Sequence, residues 1–115
     1  MIGRLNHIAI VVPDLVIAAN IYRDTLGADV SIISELPDHG VRLVFVELLN
    51  SKIELLHPLD ASSPIFAFLE RNPTGGMHHI CYEVDNIYEA AELLRRIFRT
   101  RYGKKPVTLV HLVRI

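Results

Sequence analysis

Two stretches of the chain carry the side chains best suited to chemistry. NHIAIVVPD holds His7, and GMHHICYEVD holds the adjacent pair His78 and His79. Imidazoles bind divalent transition metals and exchange protons near neutral pH. Glu54, in KIELLHPL, places a carboxylate inside an apolar run, where an unpartnered charge is costly to bury. Two imidazoles and one carboxylate suit a divalent ion such as cobalt, manganese or zinc, provided the fold brings them together.

An internal repeat links His7 to His79. Displaced by 72 positions, LNHIAIVVPDLVIAANIYR (5–23) lies over MHHICYEVDNIYEAAELLR (77–95) without a gap. His7 falls on His79, Ile8 on Ile80, Val12 on Val84, Ala18 and Ala19 on Ala90 and Ala91, and Arg23 on Arg95. Asp14 meets Asn86, and both residue types cap helix N-termini through a side-chain oxygen. Each copy therefore reads as strand, cap and helix: 5–12 then 15–26 in the first, 77–84 then 87–98 in the second. Leu15, Ala18, Ala19, Tyr22 and Leu26 form the stripe of the first helix, and Gly27 stands at its C-cap.

Further strands are expected at 29–36, 41–49 and 51–59, with PDHG (37–40) and Asn50-Ser51 as turns. A short helix is expected at 64–72 with Pro64 at its first position, then a linker at 73–76. TRYG (100–103) offers a strand fragment, and 105–115 reads as one strand. The fold class is α+β, built from paired βαβββ modules within one domain, 1–115. The first module spans 1–60, the connection 61–75, and an incomplete second module 76–115.

Strand alternation sorts the candidates by face. His7, Ala9 and Val11 share one face, and Ile8, Ile10 and Val12 the other, which should pack on the helix. His79, Cys81 and Glu83 share a face, so His78 points away from His79 and reads as structural. Ala9 and Cys81 are small enough to leave room for a ligand beside the histidines. Glu54 shares its face with Leu56, while Ile53 and Leu55 pack in the core. His57 reads as structural, His39 as a turn residue, and Glu47 and Glu83 as strand residues facing solvent. His111, in the final strand, has no support from the repeat, which puts the counterpart of Glu54 near position 126, beyond Ile115.

The composition sets outer bounds. The chain has 115 residues, half of them hydrophobic, which fits one packed domain. A single cysteine, Cys81, forms no internal disulfide and suits a reducing compartment. The longest apolar run, Ile8 to Tyr22, is interrupted by Pro13 and Asp14 and is too short for a bilayer; no secretory or transit leader is evident. Seven of the 12 Lys and Arg lie in residues 95–114, and no Asp or Glu follows Glu92. Without interleaved aromatics this cluster reads as a solvated helix end and loop, not a nucleic-acid platform.

Taken together, NHIAIVVPDL, ELPDHGV, KIELLHPL, SPI and GGMHHICYEVDNI resemble the methylmalonyl-CoA epimerase family, most closely its animal mitochondrial type. That family lies in the vicinal oxygen chelate, or glyoxalase-like, superfamily of paired βαβββ modules. The resemblance runs over residues 3–98; beyond Phe98 only KPVTLVHL still resembles the family's penultimate strand. It implies His7, Glu54 and His79 as metal ligands, and a fourth, a last-strand glutamate, with no counterpart in this chain. It implies inversion at C2 of methylmalonyl-CoA, in propionyl-CoA catabolism, by proton removal and return. The metal is needed because the α-proton is a very weak acid, and a Lewis acid stabilises the charge its loss creates.

One proposed base position of the family falls on Leu43, which leaves Glu47, on the same strand face, as the candidate catalytic residue. The resemblance further implies a small acyl-CoA substrate, a homodimer, no nucleic-acid or membrane partner, and a mitochondrial matrix location, or a cytoplasmic one if the source is bacterial. The alternatives are a non-catalytic variant of the same fold, favoured by the missing glutamate, and a glyoxalase-like lyase acting on a glutathione adduct.

Overall fold

The computed structural model describes residues 2–102 and 110–114. The chain forms two compact units, one of Ile8–His78 and one of Met1–His7 with His79–Ile115. Strand β1 (Ile2–Val11) begins in one and ends in the other, as does β6 (Gly76–Val84).

In the Ile8–His78 unit the strand order is β2-β4-β5-β1, with β2 at Asp29–Val30, β4 at Val41–Glu47 and β5 at Lys52–Pro58. A further strand, β3 (Ser34–Leu36), also pairs with β4. β4 and β5 form an antiparallel hairpin, closed where the Leu48 amide donates to the Ser51 carbonyl. β5 runs parallel to β1, with Ala9 opposite Glu54 and Val11 opposite Leu56.

Period-two alternation divides these strands between two cores. Ile10, Val12, Val44, Val46, Ile53 and Leu55 pack with Leu15 and Ala19 of helix α1 (Leu15–Asn20). Ala9, Val11, Val41, Leu43 and Leu56 pack with Ile65 and with Phe68 and Leu69 of α2 (Phe66–Arg71). A sheet covered on both faces explains why KIELLHPL and VRLVFVELL read as nearly unbroken apolar runs.

Four elements depart from the sequence-based expectation. The first helix keeps α geometry only to Asn20; Ile21–Thr25 forms a π-turn in which the Leu26 amide reaches the Ile21 carbonyl. The extra residue rotates the last turn, so Leu26 leaves the apolar stripe and is exposed. The strand expected at 29–36 splits into β2 and β3. Three residues, 31–33, stand opposite two of β4, and the Ser31 hydroxyl accepts the Phe45 amide at 2.8 Å in place of a ladder carbonyl. The helix expected at 64–72 begins only at Phe66. The helix expected at 87–98, α3, runs over Ile87–Tyr102, so positions 100–102 of the strand fragment expected at 100–103 belong to a helix end, and position 103 lies outside the described residues.

In the second unit the order is β1-β6-β7, with β7 at Val110–Arg114. The strand expected at 105–115 is thus present over 110–114, and its other positions lie outside the described residues. Both helix caps implied by the repeat form: Asp14 Oδ1 accepts the Ile17 amide and Asn86 Oδ1 the Glu89 amide, each at 3.0 Å. Arg95 pairs with Glu92 at 2.8 Å, while the side chains of the basic cluster beyond Ile97 lie outside the described residues.

The parallel register of β6 and β7 matches that of β1 and β5. Ala9 opposes Glu54, and its repeat partner Cys81 opposes His111. The backbone therefore puts His111 at the register position that Glu54 holds in the first copy, a correspondence that simple displacement by 72 assigns to position 126.

Candidate functional site

The two histidines paired by the repeat come together. His7 and His79 both belong to the Met1–His7 and His79–Ile115 unit, and their Nε2 atoms lie 3.4 Å apart with the rings edge-on at 76°. His79 is buried and His7 half-buried. Two nitrogens that each stand about 2.1 Å from one ion are separated by roughly 3.0 Å at a right angle and about 3.4 Å at the tetrahedral angle. The observed spacing thus fits two ligands of a single ion, and imidazole suits the divalent transition metals.

A chain of polar contacts runs away from this pair. His7 Nδ1 is 2.8 Å from Asn6 Oδ1, and Asn6 Nδ2 donates to Glu83 Oε2 at 3.1 Å. The Arg4 guanidinium lies 3.8 Å from the same carboxylate oxygen. Glu83 keeps only 17% of its side-chain exposure, so the expectation that it simply faces solvent is overturned. The sequence does not mark Asn6 or Arg4, and it marks Glu83 only as a strand residue. Alternation does place Glu83 on the face of His79, but its pairing with Asn6 depends on contact between residues 77 apart.

Glu54 lies in the other unit, on β5, with Ala9 opposite it on β1 and Phe45 opposite it on β4. Burial among these neighbours pushes its carboxyl above the ordinary glutamate value, against the opposing pull of His39 and Lys52. His39, read only as a turn residue, sits in a 3-10 turn (Pro37–His39) from which it favours the ionised form of Glu54. A half-buried carboxylate held at this desolvation cost is a common mark of a functional position.

The other candidates have structural occupations. His78 packs edge-on against Phe68, with ring centroids 5.1 Å apart. His57 Nδ1 lies 2.9 Å from the Val12 carbonyl and fastens β5 to the end of β1. Glu47 is exposed at the end of β4, in register with Lys52 and Asp29. Ala9 is fully buried in the apolar cluster with Val11 and Leu43. Gly75, just before β6, has φ +85°, and a Cβ there would stand 2.3 Å from the Val11 carbonyl oxygen. Only glycine admits that approach, which fixes where β6 starts.

Comparison with known proteins places this arrangement in a class. The Glyoxalase/Bleomycin resistance protein/Dioxygenase superfamily model matches residues 6–102, and the chain belongs to that superfamily. Within it the similarity is to epimerases of acyl-CoA esters. The chain is 61% identical over 120 residues to the ethylmalonyl-CoA/methylmalonyl-CoA epimerase of Cereibacter sphaeroides, covering 96% of this chain and 90% of that one. It is 59% identical over 95 residues to the mitochondrial methylmalonyl-CoA epimerase of Homo sapiens, covering 83% of this chain and 54% of the human protein. The chain therefore spans most of the bacterial relative and about half of the human one. A solved methylmalonyl-CoA epimerase in complex with methylmalonyl-CoA and ammonium superposes with a TM-score of 0.75 at 26% identity, over 84% of this chain and 71% of that one. No helix among the described residues is long and apolar enough to cross a membrane.

Proposed function

We propose that this chain is an epimerase of methylmalonyl-CoA, interconverting the (R) and (S) forms by removing and returning the proton at C2, and that His7, Glu54 and His79 hold a divalent metal for that reaction. The observation that carries the reading is the facing pair of Nε2 atoms in a chain 61% identical to an ethylmalonyl-CoA/methylmalonyl-CoA epimerase. Glu54 joins the set by register: it opposes Ala9, two residues along β1 from His7 and on the same face.

A bound divalent ion would act as a Lewis acid toward substrate oxygens, stabilising the negative charge that develops when the α-proton leaves. The chain's own residues supply the remainder. His79 is buried and set by its strand, so its nitrogen is held in place before substrate arrives. Glu54, raised by burial, gains from a cation that takes up its charge. Inversion requires acid–base groups on both faces of C2, and Glu47 is the carboxylate we assign as one candidate. The reading carries with it an acyl-CoA substrate, a homodimer and a role in propionate metabolism. The location follows the source: the mitochondrial matrix for an animal chain, the cytoplasm for a bacterial one.

The test is incubation of cobalt-loaded protein with methylmalonyl-CoA in deuterated water. Deuterium should enter C2 at a rate well above that of buffer with cobalt alone. Absence of exchange would leave a non-catalytic member of the superfamily, and turnover of the methylglyoxal–glutathione adduct instead would make the chain a lyase.

A further inference from the structure

We propose that Asn6 and Glu83 are positioning residues that lock His7 in its Nδ1–H tautomer, so that Nε2 is the nitrogen left to bind a metal. The consequence for metal binding rests on the reading above, whereas the tautomer can be read without any metal.

A carboxylate only accepts hydrogen bonds, and an amide presents one accepting oxygen and one donating nitrogen. The contact of Asn6 Nδ2 with Glu83 Oε2 at 3.1 Å therefore fixes which way the Asn6 amide is turned. The Arg4 guanidinium lies 3.8 Å from the same carboxylate oxygen. With its nitrogen committed to Glu83, Asn6 turns its oxygen toward His7 Nδ1 at 2.8 Å, and an oxygen acceptor demands a proton on that nitrogen. A neutral imidazole carries one proton, so Nε2 keeps its lone pair. That is the nitrogen 3.4 Å from His79 Nε2. Orienting partners of this kind set which ring nitrogen serves as a ligand.

Two substitutions break the relay at different links. Asn6→Ala removes the acceptor. Glu83→Gln replaces an acceptor-only group with one that can donate, which allows the Asn6 amide to turn and present its nitrogen to His7. Asn6→Asp keeps an oxygen facing Nδ1 and should preserve the tautomer.

The test is nitrogen-15 NMR of the histidine side chains in the metal-free chain at about pH 8, above the ordinary imidazole pKa, followed by cobalt(II) titration. His7 should show the Nδ1–H tautomer in the wild type and in Asn6→Asp, and shift toward Nε2–H in Asn6→Ala and Glu83→Gln. Cobalt affinity should fall about 10-fold or more in Asn6→Ala and return to within about threefold of wild type in Asn6→Asp. An Nε2–H tautomer in the wild type, or an unchanged tautomer in Asn6→Ala, would overturn the proposal. A wild-type chain with the Nδ1–H tautomer that takes up no cobalt would support the tautomer lock and sink the metal reading alone.

Discussion

The two copies of the repeat agree in their opening strands and caps and differ in the strands that pair with them. Asp14 and Asn86 cap their helices through equivalent bonds, and β1 and β6 enter parallel pairs of matching register. The first copy sets Glu54 opposite Ala9, and the second sets His111 opposite Cys81. The first copy also gives β5 a full antiparallel partner in β4 and packs both faces. The two copies thus share caps and register, while the residues at equivalent register positions differ.

The largest expected effect tests the double packing of the first copy. Leu55 is fully buried, and Leu55→Ala should cost about 2–5 kcal/mol in denaturant unfolding. Val84→Ala, in the second copy, removes fewer atoms and should cost roughly 1–3 kcal/mol. Equal costs would erase the contrast in packing.

The equivalence of the histidines comes next. His7→Ala and His79→Ala should each lower cobalt(II) affinity by about 100-fold, since each removes one of few ligands. Affinity unchanged in both variants would remove the site altogether, and a loss confined to one would break the symmetry between the copies.

Gly75→Ala tests the entry to β6. A side chain at φ +85° with a carbonyl oxygen 2.3 Å from its Cβ should destabilise the chain by about 1–3 kcal/mol, read as a lower Tm. An unchanged Tm would mean the chain has another way into that strand.

The smallest effect concerns Glu54 and depends on pH. Burial raises its folded pKa above the ordinary 4.5, so the stability linked to its neutral form is present below that value and lost as pH rises through the folded one. In metal-free protein, Glu54→Gln should therefore raise Tm at neutral pH, with the gain shrinking as pH falls toward about 4.5. Added cobalt should reverse the order, stabilising the wild type more. A Tm gain for Glu54→Gln that is the same at both pH values would show that desolvation of the charge is not its cause.

Much of this was legible in the sequence because it is local. Alternation along GMHHICYEVD separated His79 from His78, and His78 does pack on Phe68. The spacing of Asp14 and Asn86 gave both caps. What was missed depends on the chain meeting itself at a distance. The Ser31 hydroxyl that splits the expected strand acts on Phe45, and Asn6 reaches Glu83. The π-turn at Ile21–Thr25 leaves the helical spacing of LVIAANIYRDTL almost unchanged, yet turns Leu26 outward. His111 gained its place only from strand register.

The central claim is that His7 and His79 bind one ion through facing nitrogens. X-ray absorption at the cobalt edge of the loaded chain tests it most directly. The account predicts one cobalt per chain with two imidazole ligands, falling to one in His79→Ala. A cobalt site with no imidazole scattering, or the same spectrum in the variant, would contradict it.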